Sequence, residues 1–193
     1  MMLWVSSLRN TGMFDTNKSL TDGLTRVLFT EDQIQQRIAE LGVQISHDYA
    51  GKDLLLVCIL RGGVVFLADL MRHITVPCHL DFMAVASYDV GARSSNRSPR
   101  ILLDTREDIL GRNVLLVEDI VDSGYTFDHL LRLLGTREPA SLKVCALLNK
   151  PTRREVEVPI HYLGFEIPDE YVCGYGIDAD EMYRNLPYIA SVK

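Results

Sequence analysis

The sequence lacks the marks of a nucleic-acid-binding, secreted or membrane protein. Its net charge is −6 and its pI is near 5.3, whereas a general nucleic-acid binder needs a basic face to meet the phosphates. No apolar run approaches the length of a membrane span, and the first residues contain no signal-peptide core. We therefore expect a cytoplasmic protein with no nucleic-acid and no membrane partner. Residues 1–23 are predicted to be a poorly ordered extension, with an upstream start codon or a weak organellar targeting sequence as alternatives.

Cysteine and histidine are sparse and are not grouped as metal ligands. The four cysteines have no C-x-x-C spacing, and Cys58 and Cys145 lie inside apolar runs, which favours reduced core residues over disulfides or a zinc site. The five histidines are scattered without metal-ligand spacing. The sequence also contains no G-x-S-x-G elbow, no Walker A loop and no G-x-G-x-x-G fingerprint, which argues against three common enzyme classes.

Apolar runs with the length of strands alternate with helical patterns along the chain. Strands are predicted at residues 54–60, 79–87, 114–117, 141–148 and 160–165, and helices at 30–49, 64–71 and 127–134. Thr30 and Gln33 stand where a capping box needs them. This alternation predicts an α/β protein with an open, mostly parallel twisted sheet flanked by helices and a site at the carboxyl ends of the strands. Residues 24–193 are expected to form a single domain.

The most informative stretch is VLLVEDIVDSGYT at residues 114–126. Four apolar residues predict a buried strand, Glu118 and Asp119 follow, and Asp122 opens a Ser-Gly-x-Thr turn before a helical pattern. A short loop between a strand and a helix presents backbone N–H groups and the helix dipole to a phosphate. Carboxylates beside such a loop would repel the phosphate unless they bind ribose hydroxyls or Mg²⁺. The pattern therefore indicates a phosphorylated sugar, and a plain turn whose acids cap the helix is the alternative.

This string resembles the phosphoribosyl-diphosphate signature of type I phosphoribosyltransferases. Further segments narrow the resemblance to hypoxanthine-guanine phosphoribosyltransferases of bacterial type, over residues 26–193. These segments are LRGG at 60–63, SY at 87–88, LNKP at 148–151, IPDEYVCGYGID at 167–178 and YRNLPYI at 183–189. The resemblance implies the type I phosphoribosyltransferase fold with a small hood formed by the N- and C-terminal segments. It also implies dependence on Mg²⁺ and assembly as a homodimer or homotetramer.

The reaction that the resemblance implies belongs to purine salvage. The enzyme would transfer 5-phosphoribosyl from 5-phosphoribosyl 1-diphosphate to hypoxanthine, and also to guanine, giving IMP or GMP and pyrophosphate. A xanthine-preferring relative is the alternative within this class, because the groups that face purine C2 cannot be oriented from the sequence. A non-catalytic RNA-binding regulator on the same fold is the alternative outside it, although the acidic balance and Lys150 count against it.

The resemblance also implies a binding site for the phosphoribosyl group. Nine consecutive residues would form this site: Glu118, Asp119, Ile120, Val121, Asp122, Ser123, Gly124, Tyr125 and Thr126. Glu118 and Asp119 would hold the ribose hydroxyls, directly or through Mg²⁺. Asp122 would in addition be the catalytic acid or base at purine N7, with a purely structural helix cap as the alternative.

The purine would be bound by residues from later loops. Lys150 would contact the 6-oxo group, which selects oxopurines over adenine, Tyr171 would stack on the base, and Val172 would contact its edge through the main chain. Asp178 would bind a second Mg²⁺ on the pyrophosphate side or help to orient the purine. The alternatives are an exposed surface lysine at position 150 and a core aromatic at position 171.

Pyrophosphate would be received by Arg61, Gly62 and Arg184, with a plain glycine turn and a surface arginine as the alternatives. In the family that the sequence resembles, the bond that matches Leu60–Arg61 can be a cis peptide.

A polar loop that begins at Ser87 and Tyr88 would act as a lid that excludes water from the reacting centre. Asp89, Pro99 and Leu103 depart from the pattern of the bacterial relatives. The sequence leaves open how these three residues affect the closure of the lid.

Overall fold

The computed structural model describes residues 19, 21–86 and 99–193 of the chain. This part contains nine strands and three α-helices. The strands are β1 (Leu24–Phe29), β2 (Leu54–Leu60), β3 (Cys78–Ala86), β4 (Arg100–Leu103), β5 (Asn113–Val121), β6 (Ser141–Asn149), β7 (Tyr162–Glu166), β8 (Val172–Cys173) and β9 (Ile189–Val192). The helices are α1 (Glu31–Asp48), α2 (Gly63–His73) and α3 (Tyr125–Gly135).

Six strands form the central sheet in the order β4-β3-β2-β5-β6-β7. All neighbouring strands are parallel except β3 and β4, which pair antiparallel. The predicted α/β class with a mostly parallel sheet flanked by helices is therefore confirmed. The sequence pattern does not predict β4, because it is an edge strand of four residues with three exposed side chains. The apolar run at 114–117 predicts only part of β5, which continues to Val121, so that the acidic pair lies within the strand and not after it.

Apolar layers cover both faces of this sheet. In β2, Leu56 and Cys58 pack into the cluster that contains α1 and α2, whereas Leu55 and Val57 pack into the cluster that contains α3. Burial on both faces is typical of parallel strands between helices. Cys58 and Cys145 are fully buried, and all four cysteines are free, as the sequence predicts.

Helix α1 begins with the predicted capping box. The Thr30 side-chain oxygen accepts from the Gln33 N–H at 3.3 Å, and the Gln33 side-chain oxygen accepts from the Thr30 N–H at 2.9 Å. These bonds satisfy two backbone donors that the first helical turn leaves without partners. The apolar stripe that includes Ile34, Ile38 and Leu41 is fully buried against the sheet.

The hood is a second, smaller antiparallel sheet with the order β1-β9-β8. Leu24 pairs with Val192, and Val172 pairs with Ser191, so the amino-terminal strand is joined to the end of the chain. The predicted hood of N- and C-terminal segments is confirmed. Within the described residues, no helix is both long and apolar enough to cross a membrane.

Candidate active site

The carboxyl ends of β2 and β5 form a topological switch point in the central sheet. β2 and β5 are neighbours, but the strand that follows β2 lies on one side of this pair and the strand that follows β5 lies on the other side. The loops that follow such strands diverge and leave a crevice, which is where open α/β sheets bind ligands. Gly62, just after β2, lies so close to Asp119 of β5 that an added Cβ would overlap the Asp119 carboxylate. The residues predicted for pyrophosphate and for ribose therefore meet in this crevice.

Glu118 and Asp119 form a pair of carboxyl groups beneath the crevice. Asp119 is 8% exposed and accepts from the Ile120 N–H at 2.7 Å, whereas Glu118 Oε2 is buried without a hydrogen-bond partner. Burial, and then the neighbouring Asp119 carboxylate, raise the pKa of Glu118 well above its usual range. Burial also raises the pKa of Asp119, although its hydrogen bonds and Arg184 act in the opposite direction. Two carboxylates in this position need a cation or hydroxyl donors before both can be ionised.

The predicted phosphate loop at residues 122–126 leads from β5 into the first turn of α3, in a conformation that requires glycine. Gly124 has a φ of 94°, and an added Cβ would collide with the Val156 carbonyl oxygen. The Ser123 carbonyl accepts from the N–H groups of Glu155 and Val156 at 2.9 and 3.0 Å, which holds the loop against the segment after β6. Because Gly124 has no side chain to cap α3, the N–H groups of the first turn are suited to an anion.

Asp122 stands at the mouth of this loop with its side chain 43% exposed. Its Oδ1 atom is buried without a hydrogen-bond partner, although Arg153 Nε lies 3.4 Å away as an ion pair. Arg153 also pairs with Asp169 at 3.7 Å, so one cation links the phosphate loop to the segment before β8. The N-cap of α3 is Gly124, so Asp122 is not the helix cap of the alternative interpretation. Its role as the acid or base at purine N7 stays a prediction.

The residues predicted to bind the purine lie after β6 and in the hood. Lys150 follows β6, is 7% exposed, and donates its N–H to the Val121 carbonyl at 3.0 Å. It is therefore not an exposed surface lysine. Tyr171 is 55% exposed and so is not a core aromatic. Val172 is buried, and its pairing with Ser191 fixes its main chain in the hood.

The predicted pyrophosphate residues form a network of ion pairs. Arg61 Nη2 lies 2.7 Å from Glu181 Oε1. Arg184 Nη2 lies 2.6 Å from Asp178 Oδ1 and 3.5 Å from Glu181 Oε2. The Leu60–Arg61 peptide bond is cis, as the matching bond can be in the family that the sequence resembles. Two cations from distant parts of the chain thus share one glutamate.

A buried tyrosine, Tyr175, anchors the hood to the helices. It is 3% exposed, and its hydroxyl donates to the Asp69 carboxylate of α2. Gln35 of α1 donates to that carboxylate at 2.8 Å and to the Tyr175 hydroxyl at 3.2 Å. The next residue, Gly176, packs so tightly on Gly62 that an added Cβ would overlap the Gly62 carbonyl oxygen. The helices therefore hold the hood against the pyrophosphate turn.

Comparison with known proteins agrees with this geometry. The family model of the phosphoribosyl transferase domain matches residues 28–180. Hypoxanthine phosphoribosyltransferase of Escherichia coli is 51% identical over 168 residues, which cover 86% of this chain and 94% of that protein. Hypoxanthine-guanine phosphoribosyltransferase of Mycobacterium tuberculosis is 52% identical over 172 residues, which cover 86% and 85%. This chain belongs to the hypoxanthine-guanine phosphoribosyltransferase family. A crystal structure of a hypoxanthine phosphoribosyltransferase from Staphylococcus aureus has a TM-score of 0.86 at 41% identity, covering 93% of this chain and 97% of that one.

The family resemblance inferred from the motifs is confirmed, and the start of the predicted lid lies outside the described residues. Ser87 and Tyr88, with which the predicted lid begins, lie outside the described residues, and so does Asp89. Pro99 is the first described residue after this gap, and Leu103 ends β4 with 43% exposure.

Sequence reasoning missed several residues that line this phosphoribosyltransferase site. Glu181 and Tyr175 act through contacts that are remote in sequence, as described above. Arg154 donates to the Asn149 side chain, and its Nη2 lies 3.5 Å from the Val121 carbonyl oxygen. The only sequence signals were the basic residues that closely follow Lys150 and the glycines on either side of Tyr175.

Magnesium, which the family resemblance implies, fits the acidic pair better than it fits Asp178. Glu118 Oε2 lacks a partner, and its pairing with Asp119 leaves a need for a cation. Both oxygens of Asp178 are engaged, one by Arg184 and the other by the Glu181 N–H at 3.0 Å. Among the described residues, no three His, Cys, Asp or Glu side chains are grouped as a metal site. The acidic pair and Asp178 are therefore separate candidate ligand groups, and the binding of Mg²⁺ stays a prediction.

Proposed function

We propose that this chain is a purine-salvage enzyme that transfers 5-phosphoribosyl from 5-phosphoribosyl 1-diphosphate to hypoxanthine and guanine. The observation that carries the proposal is the junction of three loops at the switch point. There Gly62 packs on Asp119, and Lys150 is bonded to the end of β5. A transfer between a phosphorylated sugar and a base needs both ligands in one crevice. The relatives that share about half of the sequence carry the names of this activity.

On the sugar side, the bond from ribose C1 to pyrophosphate breaks while a bond from C1 to a purine nitrogen forms. The loop at 122–126 would hold the 5′-phosphate, and Glu118 and Asp119 would hold the ribose hydroxyls while positive charge develops on the ring. Arg61 and Arg184 would meet the negative charge of the departing pyrophosphate. When bound, Mg²⁺ would neutralise part of the same charge.

On the base side, the Asp122 carboxylate would accept the proton that purine N7 loses as the new bond forms. Lys150 would donate to the 6-oxo oxygen. The Lys150 ammonium opposite the amino group of adenine would lose this hydrogen bond, which is the strongest basis for rejecting a close analogue. The burial of Lys150 beside the phosphate loop also supports an enzyme over an RNA-binding regulator.

The compartment, the assembly and the order of base preference complete the proposal. The free cysteines support the cytoplasm as the compartment, because thiols stay reduced there. Assembly as a homodimer or homotetramer and the order of preference among hypoxanthine, guanine and xanthine stay predictions.

The testing experiment is a steady-state assay with the phosphoribosyl donor and four purines in parallel, with Mg²⁺ and with a chelator. We expect turnover of hypoxanthine and guanine, none of adenine, and loss of all turnover with the chelator. Xanthine as the best substrate would favour the xanthine-preferring alternative. No turnover of any purine would overturn the enzyme assignment.

Asp122→Asn tests the catalytic assignment within that assay. The fold should be kept, while kcat falls about 10²- to 10⁴-fold, the usual contribution of a general acid or base. Asp128→Asn is the matched control, because Asp128 lies on the helix that follows Asp122 and, among the described residues, forms an ion pair with the exposed Arg132 at 2.6 Å and with no other cation. Equal rates for the two variants would remove Asp122 from the chemistry.

A further inference from the structure

We propose that Glu181 is an internal counter-ion of the pyrophosphate site. Its carboxylate holds Arg61 and Arg184 when no pyrophosphate group is bound, and it is displaced by the pyrophosphate oxygens of the donor or the product. Glu181 thereby weakens the binding of pyrophosphate and speeds its release. This inference rests on the proposed function and adds a residue to it.

The placement of the carboxylate is the first observation. Glu181 Oε1 lies 2.7 Å from Arg61 Nη2, and Oε2 lies 3.5 Å from Arg184 Nη2. No other carboxylate of the described residues pairs with both guanidinium groups. A pyrophosphate oxygen bound between the two arginines would occupy the position of the glutamate oxygens. The carboxylate and the ligand therefore compete for the same donors.

The backbone that carries Glu181 is the second observation. The chain turns tightly at residues 179–182, where Ala179 and Met182 exchange two backbone hydrogen bonds at 3.2 and 3.0 Å. Within this turn Asp180 and Glu181 have φ of 52° and 63°. This left-handed backbone conformation is uncommon for residues other than glycine, asparagine or aspartate. The Glu181 N–H donates to Asp178 Oδ2 at 3.0 Å. The turn thus directs the glutamate back toward Arg61.

The ion pair between Arg61 and Glu181 is exposed to solvent, and this exposure makes the pair easy for another anion to displace. The side chains of Arg61 and Glu181 are 70% and 61% exposed, and an ion pair in this setting is weak and screened by salt. Pyrophosphate carries more charge than one carboxylate and offers several acceptor oxygens, so it displaces Glu181. The displaced carboxylate still repels the ligand, which lowers the affinity of the site without abolishing it.

The test compares inorganic pyrophosphate binding to the wild-type chain and to Glu181→Gln by calorimetry in the presence of Mg²⁺. We expect the variant to bind about three- to tenfold more tightly, and product inhibition by pyrophosphate to strengthen by the same factor. The gain should shrink when salt is raised from 50 to 500 mM, because the Debye length falls. Glu107→Gln is the matched control, because Glu107 pairs with Arg112 at 3.4 Å near the amino ends of the strands. It should leave pyrophosphate binding unchanged.

The opposite sign would overturn the inference. If Glu181 instead preorganises the two arginines, Glu181→Gln will bind pyrophosphate as the wild type does or more weakly. A double-mutant cycle with Arg61→Ala locates the effect, since the gain from Glu181→Gln should be largely lost when Arg61 is absent. Pyrophosphate binding does not depend on turnover. A wild-type chain that binds pyrophosphate but turns over no purine would defeat the proposed function and leave this inference standing.

Discussion

Replacing Tyr175 by phenylalanine removes a single hydroxyl from the buried anchor between the hood and the helices. The hydroxyl donates to the carboxylate of Asp69, which Gln35 and Arg72 also contact. A hydrogen bond to a charged group contributes about 1.5–3 kcal/mol. Because Asp69 keeps two other partners, we expect a loss of about 2 kcal/mol in the free energy of unfolding. That loss lowers the Tm of a chain of this size by about 4–8 °C.

The pH dependence of this loss has a defined sign. Burial raises the pKa of Asp69, but the hydrogen bonds from Tyr175, Gln35 and Arg72 outweigh it and lower the pKa below the ordinary value of 3.8. A depressed pKa of an acid contributes stability above the unfolded value, and this contribution is lost as pH falls through the folded value. The gap in stability between the wild type and Tyr175→Phe should therefore be full at pH 7 and shrink below about pH 4. A gap that stays constant down to pH 3 would refute the assignment to Asp69.

Tyr162→Phe is the matched control for the effect on activity. The Tyr162 hydroxyl donates to Asp48 Oδ2 at 2.7 Å, and Tyr162 is 4% exposed, but it begins the edge strand β7 at the amino ends of the parallel strands, whereas the crevice lies at their carboxyl ends. Both variants should lose stability, measured by urea unfolding. Only Tyr175→Phe should lower kcat/KM, by about tenfold for a misplacement costing about 1.4 kcal/mol. The assay is run at a temperature well below the Tm of either variant. Equal kcat/KM values for the two variants would then show that the anchor does not position the site.

Two further substitutions probe the crevice directly. Gly62→Ala should displace the Asp119 carboxylate and lower stability by about 1–3 kcal/mol together with kcat/KM, whereas Gly135→Ala, where an added Cβ meets nothing within 4 Å, should leave both intact or raise stability slightly. Unchanged activity in Gly62→Ala would contradict the contact with Asp119. Lys150→Ala should raise KM for the oxopurine far more than KM for the phosphoribosyl donor, and equal changes in both constants would refute its role at the 6-oxo group.

The part of the site that could be predicted from the sequence is the part built by local chain geometry. A strand, a glycine turn and a helix follow one another within residues 114–134, so the position of Gly124 is encoded by its neighbours. The contacts of Gly62 with Asp119 and Gly176 join segments that are remote in sequence, and only the strand order brings them together. Glu181 was missed for the same reason, because a glutamate in a polar turn gives no sign that it faces an arginine 120 residues away.

The cations of the site differ in whether a carboxylate already pairs with them, and this difference bears on the ligand that each cation can bind. Arg61, Arg153 and Arg184 all lie in ion pairs with carboxylates, so each would bind an anionic group by exchanging one negative partner for another. Lys150 is different: in the described part of the chain no carboxylate pairs with it, although it is 7% exposed. Lys150 can therefore donate to a neutral acceptor without first giving up a carboxylate partner. The 6-oxo group of a purine is such an acceptor. We therefore predict that the arginines bind the phosphate groups and that the lysine binds the base.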